Sequence, residues 1–147
     1  MMSLSLMTIP LFLDTNTQSA HMLHQWVRLY HYGHLLLPSM SLATLALYAY
    51  VALSKRASGA PWTSYAVAGA VTVCMIPFTL IVMVPTNDTL FALESGVKVS
   101  AAVASLDYVR ELVTKWGRMH LVRSLFPLLG ATLGFNAVYK DLALLNV

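Results

Sequence analysis

Charge is what this sequence has least of. Nine Lys and Arg and six Asp and Glu make up 10% of 147 residues, while 58% are hydrophobic and the mean hydropathy is +0.68. So few solvated side chains exclude an ordinary soluble domain of this size. There is one cysteine, Cys74, so neither an internal disulfide nor a thiolate metal cluster can form. The apolar runs lack strict alternation, which excludes a transmembrane β-barrel. Phosphate loops, the dinucleotide fingerprint, HExxH and the nucleophile elbow are all missing, leaving no nicotinamide or flavin site of the usual kind. The first apolar stretch, "MMSLSLMTIPLFLD", has no basic flank, so it does not read as a signal peptide.

What remains is a helical membrane protein, because helices satisfy their own backbone polar groups in lipid. Leu35 to Ser54 and Trp62 to Val84 are uncharged and each about 20 residues long, enough to cross a hydrocarbon core of about 30 Å. A third span runs from about Leu121 to Tyr139, with Arg123 near its entrance. The N-terminal stretch is short for a span, so it reads either as a tilted or half-inserted segment or as the end of a longer first helix whose start is missing. Pro77 and Pro127 are expected to kink their helices. Gly130 with Gly134, and Ala66 with Ala70, form small-xxx-small pairs suited to close backbone packing. The net charge of +3 and pI near 9.2 suit anionic headgroups, not nucleic acid. The expected architecture is an all-α, integral-membrane four-helix bundle forming one domain over residues 1–147, multi-pass and in an endomembrane.

Two further segments read as amphipathic interfacial helices. From Thr17 to Leu36, a helical wheel puts Met22, Leu23, Trp26, Val27, Leu29 and Tyr30 on one face and His21, His24, Arg28 and His31 on another. From Glu94 to His120, the wheel aligns Val99, Val103, Leu106, Val109, Val113 and Trp116, and His120 and Arg123 continue that stripe. Two crossings separate these segments, so both emerge on the same side of the membrane. Four of the five histidines, the Pro85-Thr86-Asn87 corner and the Trp116 to Arg123 stretch can therefore meet.

Trp116, His120 and Arg123 form the sharpest candidate group. Imidazole titrates near neutrality and exchanges protons, a guanidinium holds an oxyanion through charge-assisted hydrogen bonds, and indole offers a flat wall to an aromatic ligand. The competing reading is an interfacial Trp/Arg/His belt. Asn87 reads either as part of an N-cap, closing a helix that begins near Thr89 after Pro85 ends the previous one, or as a residue facing a pocket. The stripe of His21, His24, His31 and His34 has spacings compatible with metal ligation, but no carboxylate pair or cysteine completes a site. An interfacial polar face is the simpler reading.

Together, "HQWVRLYHYGH", "PFTLIVMVPTNDTL" and "LVTKWGRMHLVRSLFPLLGA" resemble the anthrone oxygenase family, small four-helix membrane proteins of aromatic polyketide pathways. The resemblance covers Met1 to about Lys140. Its most specific parts are the Pro-Thr-Asn stretch and the W-x3-H-x2-R stretch at Trp116, His120 and Arg123; Gln25, Trp26, Tyr30 and Gly33 add weaker support.

The resemblance implies oxidation of an anthrone, such as emodin anthrone, to its anthraquinone, with O2 as co-substrate and no cofactor or metal. His120, Arg123 and Asn87 are the implied catalytic residues, and Trp116, Trp26 and Tyr30 the implied substrate-binding ones. Expected partners are a planar aromatic polyketide, the bilayer and enzymes of the polyketide pathway. The alternative is a non-catalytic membrane scaffold or a small transporter-like subunit.

Overall fold

The computed structural model describes residues 2–100 and 104–145. Among them there is no strand, and helices account for nearly everything. Helix α1 (Leu4–Thr15) opens with a π-helical turn, Leu4–Thr8. It is followed by α2 (Ser19–Ala57), α3 (residues 63–100) and α4 (Leu106–Leu145). Three stretches, Ser19–Ala57, Thr63–Val97 and Leu106–Ala143, are long and apolar enough to cross a membrane. The amphipathic segments read from the sequence are thus continuous with the spans. The stretch from Glu94 to His120 is nevertheless two helices: Ser105 starts α4 by accepting the Tyr108 backbone N–H on its hydroxyl at 3.3 Å.

Local chemistry explains the other ends. Helix α2 stops where Gly59 adopts φ 74°, open to glycine without strain, and the N–H groups of Gly59 and Ala60 return to the carbonyls of Arg56 and Lys55. Helix α1 stops at Asn16, whose backbone N–H and side-chain amide both donate to the Phe12 carbonyl. Arg110 donates to the Leu13 and Asn16 carbonyls at 3.4 and 3.2 Å, satisfying groups that the helix end leaves open.

The corner expected at Pro85-Thr86-Asn87 is not present. Helix α3 passes from Met75–Phe78 through a π-helical turn, Thr79–Met83, into Val84–Ser100 without a break. A π turn before a proline accommodates the ring and the missing N–H while the chain stays helical. Asn87 is therefore in the body of a helix and caps nothing. Helix α4 likewise runs on through Pro127.

The chain divides into two compact units, residues 1–37 with 78–123, and residues 38–77 with 124–147. In the first, Ile9, Met22, Leu23, Trp26, Val27, Met83, Leu90, Val109, Val113 and Trp116 form the core. These include most of the apolar faces drawn from the wheels; the side chains of Val99 and Val103 lie outside the described residues. Ile9 of α1 packs so closely on α4 that a Cβ at Gly117 would meet its side chain at 3.0 Å. In the second unit, Gly130 and Gly134 are close-approach points: a Cβ at Gly130 would collide with Thr72, and one at Gly134 with the Tyr48 ring and hydroxyl. The Ala66 and Ala70 pair plays no equivalent part, since Ala70 is exposed. Asp141 ties this unit together, receiving Lys55 Nζ and the Tyr65 hydroxyl each at 2.6 Å.

Candidate active site

Trp116, His120 and Arg123 occur at intervals of four and three on α4, so one helical face carries all three. That face points inward: they are 4%, 1% and 9% exposed. A membrane-surface belt would leave such side chains at the lipid or water boundary, so burial at this level argues against anchoring as their main role.

Helix α3 supplies two partners. Asn87, itself buried, accepts the Trp116 indole N–H on Oδ1 at 3.0 Å. Thr79, in the π turn, accepts from Arg123 Nη1 at 3.3 Å. A π turn re-aims side chains relative to regular helix, and here it coincides with the residue that meets the guanidinium. Among the described residues, Arg123 Nε has no hydrogen-bond partner.

Helix α2 adds an aromatic wall. The Trp26 ring meets Trp116 edge-on at 5.8 Å and 89°, and Tyr30 and Phe91 close around it at 5.5 and 5.1 Å. Trp116 in turn lies tilted over His120, ring centroids 4.9 Å apart. Such edge-to-face and tilted pairs hold ring planes in defined directions. Trp26 is fully buried, and its indole N–H has no partner among the described residues.

Helix α1 contributes a residue that no sequence pattern marks. Ser5 Oγ lies 3.0 Å from His120 Nδ1, reaching across 115 positions of chain. A contact on Nδ1 fixes the ring's orientation and selects the role of Nε2.

All six residues singled out in the sequence thus fall in the first unit. Trp116, His120, Asn87 and Trp26 are linked by direct contacts, Tyr30 through Trp26, and Arg123 stands one helical turn from His120. Ser5, Thr79 and Phe91 join them unannounced. Phe91 had a faint signal, lying four residues after Asn87 on the same helix face. The histidine stripe is separate: His21, His24, His31 and His34 are exposed, with His24 at 3.8 Å from Glu94 and His34 stacked on Tyr30 at 5.5 Å. Among the described residues no three His, Cys, Asp or Glu side chains group as metal ligands.

The family profile described as anthrone oxygenase matches residues 26–133, a stretch holding Trp26, Tyr30, Thr79, Asn87, Phe91, Trp116, His120 and Arg123 but not Ser5. The chain belongs to the anthrone oxygenase family. Relatives include anthrone oxygenase nsrD of Aspergillus novofumigatus, 52% identical over 143 residues that cover 97% of this chain and 86% of the relative. Anthrone oxygenase gedH of Aspergillus terreus is 46% identical, covering 97% of this chain and 91% of its own length. Noranthrone monooxygenase of Aspergillus flavus is 41% identical, covering 94% and 66%. No solved structure matches this chain.

Proposed function

We propose that this anthrone oxygenase family member converts an anthrone, such as emodin anthrone, to the corresponding anthraquinone with O2 during aromatic polyketide biosynthesis, in an endomembrane. The observation that carries the reading is the buried His120, contacted by Ser5 and Trp116 and followed one turn later by the buried Arg123. A scaffold or transporter subunit has no need of this convergence.

An anthrone has an acidic benzylic C–H para to its carbonyl across the central ring. In the tautomer that carries its proton on Nδ1, toward Ser5 Oγ, His120 presents Nε2 as the base that removes this proton. The resulting anion carries its charge on the former carbonyl oxygen, where Arg123 and the Asn87 amide N–H can stabilise it. Such donors count most where water is excluded. Asn87 is held in place for this by the Trp116 indole N–H on its oxygen.

The electron-rich anion passes one electron to O2, and the radical pair combines at the deprotonated carbon. The peroxide anion takes back the proton held by His120. Loss of the second proton at that carbon with departure of hydroxide, together one water, leaves the quinone carbonyl. The substrate carbanion supplies the electrons, so the chemistry asks for no prosthetic group. Trp26, Tyr30 and Trp116 form the aromatic surface for the flat ring system, and the substrate's low polarity suits delivery from the bilayer.

The test is to incubate membranes containing the protein with emodin anthrone and follow emodin formation and O2 uptake above the non-enzymatic rate. His120→Gln membranes serve as the control. A rate indistinguishable from empty membranes overturns the reading.

A further inference from the structure

The second unit carries an apolar groove that the oxygenase reading does not use. It lies between residues 45–56 of α2 and the segment 62–73 that opens α3, has a volume of about 440 Å³, and is walled by Leu45, Ala49, Leu53, Ala70 and Val73. Its size is ordinary for a small-molecule site.

Three features specify an occupant. The first is length. Eleven residue steps along either wall make about 16 Å of helix, close to half of a hydrocarbon core about 30 Å thick. The groove therefore has the length of one leaflet. The second is its charge. Arg56 and Trp62 line one end, with the guanidinium 5.2 Å from the Trp62 ring centroid, while the rest of the wall is hydrocarbon and ring carbon. The third is that this charge is uncompensated. Lys55 beside it is taken up by Asp141 at 2.6 Å, whereas Arg56 has no carboxylate partner among the described residues. No acidic residue occurs anywhere from Thr15 to Asn87.

We infer that this groove binds one anionic phospholipid, an acyl chain lying between α2 and α3 and the phosphate on the Arg56 guanidinium. Arginine presents a planar fork that fits phosphate oxygens, and Trp62 both orients it and sits at the polar-apolar boundary where indole is favoured. The small side chains at Ala49 and Ala70 leave the space that the chain occupies.

Native mass spectrometry of the full chain in nonionic detergent, with phosphatidylglycerol and phosphatidylcholine of identical acyl chains added in turn, tests this. The expected result is one retained phosphatidylglycerol per chain, with phosphatidylcholine lost on mild activation. Arg56→Gln should weaken phosphatidylglycerol retention about fivefold, the size of one near-surface charge contact, without changing phosphatidylcholine. Ala70→Phe, a change at an exposed position that fills the groove, should abolish retention while the unfolding temperature stays within a few degrees. Equal retention of both lipids by the wild type means bulk lipid only and overturns the inference. Competition of the bound lipid by inorganic phosphate or glycerol phosphate alone makes this a free-phosphate site and overturns it too.

Discussion

Replacing Trp116 by Phe keeps an aromatic ring in the core but deletes one N–H. In the folded protein that N–H donates to Asn87 Oδ1 at 3.0 Å, with Trp116 4% and Asn87 3% exposed, so no bulk water is at hand to replace it. An amide oxygen left buried without its donor costs about 1–3 kcal/mol. The smaller ring also loosens the edge-to-face contact with Trp26, a further 0.5–1.5 kcal/mol or so. The expected total is roughly 2–4 kcal/mol, read from unfolding in detergent.

The companion variant Asn87→Leu removes the acceptor, and in the double variant neither group is stranded. The double variant should therefore be less destabilised than the two single changes summed, by about 1–2 kcal/mol. Turnover should drop in both single variants through kcat, because Trp116→Phe frees the Asn87 amide from its anchor and Asn87→Leu removes that amide altogether. Additive stabilities, or a Trp116→Phe protein within 0.5 kcal/mol of wild type, would refute the claim that this contact holds the site.

His120→Gln should insert and fold normally but turn over anthrone roughly 10²–10⁴ times more slowly, the usual contribution of a positioned base. The base acts in its neutral form, so wild-type turnover should fall on the acid side as the imidazole protonates, and that limb should vanish from the residual rate of the variant. Arg123→Lys keeps the charge but loses the planar fork and should slow kcat while leaving expression unchanged; a wild-type rate would remove Arg123 from the oxyanion role. Gly134→Val drives side-chain atoms into Tyr48, which donates to the Gly130 carbonyl at 3.2 Å, and should lower stability by about 1–3 kcal/mol in thermal unfolding. Single Gln substitutions at His21, His24 and His31, and added chelator, should leave turnover within a few-fold; chelator inactivation reversed by one metal would contradict the cofactor-free scheme.

The parts legible in the sequence were those written in periodicity. Apolar runs marked the spans, and the 3.6-residue stripe placed Met22, Leu23, Trp26, Val109, Val113 and Trp116 in the core, where they are. The same stripe, continued, brought His120 and Arg123 inward. What stayed hidden depends on chain-distant contact or on irregular helix geometry. Ser5 is one small polar residue in an apolar run, and only folding sets it against a ring 115 positions away. The Pro85 to Asp88 stretch has the composition of a helix break and N-cap, yet the π turn before it lets the helix continue. Thr79 was unreadable for the same reason, because a π turn shifts the side-chain phase on which wheel arguments rest.

The contact between Lys55 and Asp141 bears on how the chain enters its membrane. The residues bounding the short loop after α2 are made first, and Lys55 and Arg56 emerge with no carboxylate behind them back to Asp14. Basic residues in short loops are among the charges weighed while neighbouring helices are threaded. Asp141 is made only as the last helix is completed, and it then closes on Lys55 at 2.6 Å. Lys55 thus carries a free charge until α4 is made and serves as a structural tie thereafter.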